Sequence, residues 1–158
     1  MILKVDLEKA FDRLEWSFIK ECLLFFNFPI KLTTLIMSCL TTTSISILDN
    51  GTHTEYFKSS RGIRQGDPMS PYLFIICMER LSKDIDSAVT DKDWCPISII
   101  RGRPRISHLF FVDDLTMFSR DNKRNYDTIL AILGNFHVAS GYKSTSRNPK
   151  SSFSLIAK

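Results

Sequence analysis

Cysteine is sparse and scattered in this chain. Cys22, Cys39, Cys77 and Cys95 form no Cys-x-x-C pair, and no histidine stands at ligand spacing from them. That excludes a zinc-finger pattern and a disulfide framework, and leaves reduced, mostly buried thiols as the expectation. Long apolar runs are also lacking: the longest, Tyr72 to Met78, is far too short to span a bilayer. The opening Met-Ile-Leu-Lys-Val-Asp-Leu-Glu is charged too early for a secretory signal. The expectation is an intracellular chain, nuclear or cytoplasmic, neither secreted nor membrane-bound. Internal repeats, low-complexity tracts and domain linkers are absent too, so the 158 residues read as a single domain, 1–158, with a poorly defined basic tail over 142–158.

What is present is an ordinary globular composition, 44% hydrophobic and 24% charged, with a mild basic excess of +4. Such a bias is compatible with a polyanionic partner without specifying one. Ile2, Leu3 and Val5 predict a strand that ends at Asp6, and Glu8 to Arg13 a turn or short helix. Apolar spacing predicts helices over about 16–28, with Ser17 as cap, and over 31–40. Asp49-Asn50-Gly51 predicts a hairpin turn between Ile45–Leu48 and Glu55–Phe57. A dense Gly/Pro/Arg loop, 61–71, precedes a helix from about Pro71 to Val89. Then come a short strand at 97–100, a basic turn at 101–105, a hairpin over 106–119, a helix over 123–139 closed by Gly141, and a possible last strand at 152–156. The order reads as α+β, an antiparallel sheet with helices packed on one face.

Within the 106–119 hairpin, Phe111-Val112-Asp113-Asp114 sets two adjacent carboxylates between apolar, β-prone runs. Like charges at contact resist joint ionisation. A divalent cation removes that penalty, since Mg²⁺ takes hard oxygen ligands and substrate phosphates together. A solvated Asp-Asp turn explains the dipeptide as well when it is taken alone.

Two further segments change its weight: Lys4-Val5-Asp6-Leu7-Glu8-Lys9-Ala10-Phe11-Asp12 and Arg61-Gly62-Ile63-Arg64-Gln65-Gly66-Asp67-Pro68-Met69-Ser70-Pro71. With the Asp-Asp hairpin they stand in the order and spacing of motifs A, B and C of reverse transcriptases. Over nearly its whole length the chain resembles those of non-LTR (LINE-type) retrotransposons, the plant versions above all. Also family-like are the stretches 57–62, 70–74, 106–109 and 139–141.

The resemblance implies a polymerase palm-like fold and an RNA-directed DNA polymerase. Its reaction is two-metal nucleotidyl transfer from a dNTP to a primer 3′-hydroxyl, with Mg²⁺ or Mn²⁺ as cofactor and an RNA template and DNA primer as partners. Asp6, Asp113 and Asp114 become the catalytic carboxylates and metal ligands, and the Leu7 carbonyl a further ligand. Phe11 matches the aromatic steric gate under the sugar, with plain core packing as the rival explanation. Gln65 and Gly66 match the segment that approaches nucleotide and template, where glycine permits close contact. Arg61 and Arg64 are candidates for phosphate contact, though a salt bridge explains either one almost as well. Arg101, Arg103 and Arg105 make a cationic turn that suits nucleic-acid backbone or plain solvent equally. Lys150 corresponds to the motif D lysine, a general acid for the leaving pyrophosphate, with Lys143 as rival. Asp12 and Glu8 read as surface or capping carboxylates, Pro68 and Pro71 as loop stiffeners, Trp16 and Trp94 as packing residues, and His108 as a packed or hydrogen-bonded strand residue.

The chain departs from the family pattern in places. It starts five residues before Asp6, so fingers and thumb are expected to be missing. Val112 stands where plant elements usually carry Ala, and the Asn-x-x-Lys-Ser pattern after Gly141 is displaced. Positioning supplies most of the rate in phosphoryl transfer, so weak or no activity is expected of the chain by itself. The alternative from another class is a non-catalytic nucleic-acid- or protein-binding remnant of a retrotransposon. A nuclease is disfavoured, because it has no need of Phe11 or Gln65-Gly66.

Overall fold

The structure, a computed structural model, describes residues 1–7, 10–98, 105–111 and 114–141, with Asp6 and Ala10 described by backbone alone. Outside the described residues lie Glu8, Arg101, Arg103, Val112, Asp113, Lys143, Lys150, the basic tail and its expected strand, and the end of the 97–100 strand. In chain order the elements are β1 (Ile2–Asp6), α1 (Ala10–Arg13), α2 (Trp16–Phe25), α3 (Ile30–Thr41), β2 (Ser44–Ile45), β3 (Leu48–Asp49), β4 (Thr52–His53), β5 (Phe57–Lys58), α4 (Ser70–Thr90), β6 (His108–Phe111), β7 (Asp114–Phe118) and α5 (Lys123–Ser140). The mixture is α+β, and no described helix is long and apolar enough to cross a membrane. The chain divides into two compact units, one of Phe11–Cys77 and one of Met1–Ala10 with Met78–Lys158.

The second of these holds a three-stranded antiparallel sheet in the order β1-β7-β6. Alternation makes it one-sided. Leu3 faces Met117 and Val5 faces Leu115 across the β1–β7 register, and all four are at most 4% exposed. The same register turns Ile2, Lys4, Leu109 and Phe111 to an exposed face. Among the described residues, Ile97 of the expected 97–100 strand forms an isolated bridge to Ile106.

The open end of the β6–β7 hairpin is tied down by polar groups. Trp94, fully buried, donates its indole N–H to the Phe118 carbonyl at 3.1 Å. Buried Asn125 accepts the Cys95 N–H (3.1 Å) and donates to the Arg120 carbonyl (2.9 Å). Asn122 caps α5 by accepting the Asn125 N–H at 2.7 Å, and Gly141 ends the helix at φ 83°.

In the other unit α2 packs on α3, and Cys22 and Cys77 are fully buried. The hydrogen bond to Cys22, then burial, pushes the Cys77 thiol well up. Cys39 is exposed and Cys95 half-buried, so only two of the four free thiols sit in a core, fewer than the composition suggested. Asn50 and Gly51 take φ 47° and 82°, the positive pair a two-residue type I′ hairpin requires. The hairpin they close is shorter than expected. β3 pairs with β4, and beyond a break the expected partners Ile45 and Phe57 pair in a second ladder, Ser44–Ile45 with Phe57–Lys58, while Glu55 and Tyr56 belong to no strand.

Helix α2 also departs from the sequence expectation at both ends. Its N-cap is Glu15, with no side-chain cap bond, so Ser17 lies inside the first turn rather than capping it. It stops at Phe25 rather than 28, because Asn27 adopts a left-handed φ of 59° that breaks the ladder.

Candidate active site

The carboxylates belong to the sheet unit. β1 ends at Asp6, β7 begins at Asp114, and the antiparallel register sets these two positions directly opposite one another. Like charges so placed destabilise a sheet unless a cation joins them. Lys4 supplies one: its Nζ lies 2.7 Å from Asp114 Oδ2, diagonally across the exposed face. Leu7, next after Asp6, buries its side chain to 2% exposure. Among the described residues no group of three or more His, Cys, Asp or Glu gathers as a metal site, and neither Asp113 nor the Asp6 carboxylate is among those described. The donors present nevertheless fit a hard divalent cation: two aspartate positions face each other, and one carboxylate already holds an ammonium.

On the inner side of the same hairpin, His108 is held at both ring nitrogens, by Ser82 Oγ on Nε2 and Ser107 Oγ on Nδ1, each at 2.9 Å. Burial holds its pKa below the ordinary imidazole value, with the charges of Asp86 and Glu79 opposing. The strand role expected for His108 is the one observed.

The loop between β5 and α4 is placed by the helical unit. Gly62 N–H donates to the Leu14 carbonyl (2.7 Å) and Ile63 N–H to the Phe11 carbonyl (2.8 Å). Trp16 donates its indole N–H to the Gly62 carbonyl at 2.8 Å, so it anchors the loop as well as packing. Gly62 sits at φ 81°, and a Cβ there would come within 2.8 Å of the Asp12 carbonyl oxygen. Only glycine allows so close an approach of two backbones. Asp67 accepts the Met69 N–H at 2.8 Å just before α4, closing the loop with an Asx turn.

Phe11 is half-buried and stacked on Phe74, with ring centroids 4.7 Å apart. Packing and partial exposure therefore coexist at that position. Gly66 has φ 88° and open space where a Cβ would stand. Arg61, Arg64 and Gln65 line a cavity of about 400 Å³ together with Trp16, Thr43 and Asp67. Both guanidiniums are loosely engaged: Arg61 lies 3.9 Å from Glu15 and Arg64 3.5 Å from the Ser44 carbonyl. Arg105 is exposed.

Sequence reasoning passed over Lys4, Gly62, Asp67 and the hydrogen bond of Trp16. Asp67 followed by Pro-Met-Ser before an apolar helix carried a readable capping signal. Lys4, Gly62 and Trp16 act on segments distant in sequence, which no local pattern reports.

A family model described as reverse transcriptase (RNA-dependent DNA polymerase) matches residues 1–154. An uncharacterized mitochondrial protein of Arabidopsis thaliana is 46% identical over 65 residues, 41% of this chain and 53% of that protein. The retrovirus-related Pol polyprotein of the type-2 retrotransposable element R2DM of Drosophila melanogaster is 30% identical over 118 residues, 75% of this chain and 10% of that protein. Its counterpart from the type-1 element R2 of Popillia japonica is 30% identical over 155 residues, 98% of this chain and 20% of that protein. The chain thus spans about half of the first relative and a fifth or less of the other two. Among solved structures, a Candida tropicalis telomerase truncated of its C-terminal domain superposes with a TM-score of 0.65 at 15% identity, over 98% of this chain and 32% of that one. That likeness concerns the fold.

Proposed function

The chain belongs to the reverse transcriptase (RNA-dependent DNA polymerase) family, and we propose that it is the palm of a LINE-type enzyme of plant kind that transfers nucleotides from dNTPs to a DNA primer on an RNA template. The observation that carries this reading is the register that opposes Asp6 and Asp114 at the ends of β1 and β7. Two divalent ions, Mg²⁺ or Mn²⁺, held by Asp6, Asp113, Asp114 and the Leu7 carbonyl, would supply activation of the primer hydroxyl and neutralisation of phosphate charge.

The chain's own residues do the rest. Phe11, half-buried and stacked on Phe74, bars a 2′-hydroxyl. Gly66, with nothing in the space of its missing Cβ, lets nucleotide or template lie against backbone. Gln65 and Arg64 orient the nucleotide, and Arg61 pairs with strand phosphates at the rim of the cavity they share. Arg101, Arg103 and Arg105 touch backbone phosphates without reading sequence. Lys150, or Lys143, returns a proton to the pyrophosphate. The proposed place of action is the nucleus or cytoplasm.

Primer extension on an RNA template with Mg²⁺ or Mn²⁺ tests this, comparing the wild type with Asp113→Asn/Asp114→Asn. Short, metal-dependent products that vanish in the double variant are expected. Template binding without incorporation, unchanged by the substitutions, would leave a non-catalytic nucleic-acid-binding remnant as the correct reading.

A further inference from the structure

Metal sites built from carboxylates face a problem before the metal arrives: their charges repel and no ligand yet joins them. In the sheet unit that problem is concentrated where Asp6 and Asp114 stand opposite each other. The same face carries one diagonal neighbour two residues back along β1, and it is Lys4, with Nζ 2.7 Å from Asp114 Oδ2. We propose that Lys4 is a built-in counter-cation, which holds Asp114 while no metal is bound and must give it up when a divalent ion arrives. The inference rests on the metal-dependent reading above and adds a competitor to it.

Three features fit a place-holder better than a permanent brace. Both side chains are partly open to solvent, 46% for Lys4 and 35% for Asp114, so exchanging one cation for another leaves no buried charge uncompensated. An ammonium is a compact point charge on a flexible four-carbon stem, so it swings away without disturbing backbone, whereas a guanidinium fork grips a carboxylate through two bonds. The strand beneath it is independently fixed, by the buried pairs Leu3–Met117 and Val5–Leu115, so β1 does not need the ion pair to keep its register. Lys4 is accordingly a positioning residue, which sets the metal concentration at which the site fills.

The test is Mn²⁺ binding to the full chain, followed by electron paramagnetic resonance or calorimetry without nucleic acid, for the wild type, Lys4→Met and Lys4→Arg. A brace whose loss merely loosened the site would weaken binding; a competitor's loss tightens it. Lys4→Met is expected to lower the half-saturating Mn²⁺ concentration by about two- to fivefold, the scale of one partly exposed ion pair. Lys4→Arg is expected to match the wild type or to bind Mn²⁺ less tightly. Metal-free Lys4→Met should also melt below the wild type, and saturating Mn²⁺ should close that gap. Unchanged or weaker Mn²⁺ binding in Lys4→Met overturns the inference alone. Absence of binding in the wild type overturns it together with the metal reading. Should Lys4→Met fail to fold, Lys4→Gln carries the same expectation.

Discussion

In the sheet unit, position follows from alternation: Leu3, Val5, Leu115 and Met117 bury one face, and Ile2 and Lys4 are turned outward by the same period. In the helical unit, position follows from individual bonds. The loop that carries Arg61, Arg64, Gln65 and Gly66 has no ladder of its own and is held by Gly62, Ile63, Trp16 and Asp67 one contact at a time. A sheet distributes the task of aiming Asp114 over many modest pairs. The loop concentrates the task of aiming Gln65 and Gly66 in a few groups that have no substitute.

The contrast breaks at measurable places. The largest expected effect is chemical: Asp114→Asn should lower metal-dependent incorporation about a thousandfold, since a ligating charge is worth several kcal/mol to the transition state. Circular dichroism of that variant should match the wild type; a collapse of the fold would instead make Asp114 a structural residue. Next comes Leu115→Ala, a fully buried strand residue, expected to cost about 3–4 kcal/mol in urea unfolding. Gly62→Ala should cost about 2–3 kcal/mol, from a positive φ and a methyl pressed on the Asp12 carbonyl. It should leave Mn²⁺ binding intact, because the carboxylates belong to the other unit; a matching loss of Mn²⁺ affinity would show that the two regions cannot be treated apart. Asp67→Ala, which removes the Asx bond to Met69 N–H, should cost about 1 kcal/mol.

The smallest effect is one of pH. The folded state holds His108 below its ordinary pKa, so between the two values the unfolded chain binds more protons. Stability contributed by neutral His108 is therefore complete above the ordinary imidazole range, about 6.5, and drains away as pH falls below it. His108→Gln should flatten that slope in melting temperature, and a slope that persists would assign it to other groups.

How much of this was legible in the sequence follows the same divide. Strand β1 ending at Asp6, the paired strands β6 and β7, helices α3, α4 and α5 and the Asn50-Gly51 turn all carry local signals, and all are found close to where those signals put them. Ser17 does not cap α2 because it has the right chemistry two residues too late, while Glu15 caps by backbone shape alone. The expected hairpin does bring Ile45 opposite Phe57, but its break into two-residue ladders was not legible, because such short pairings are chosen by their surroundings rather than by propensity. At the candidate site the sequence carried the residue types, whereas Lys4 against Asp114 and Trp16 against Gly62 exist only once the strands and loop have met.

The two tryptophans fall one to each unit, Trp94 sealed in the sheet unit and Trp16 half-exposed beside the loop. Each region therefore carries its own optical label. A blue-emitting indole reports the integrity of the carboxylate-bearing sheet, and a redder, quencher-accessible one reports whether the loop is seated. Trp16→Phe leaves the first signal to be read alone, so the order in which the two regions come apart is open to a fluorimeter without any added dye.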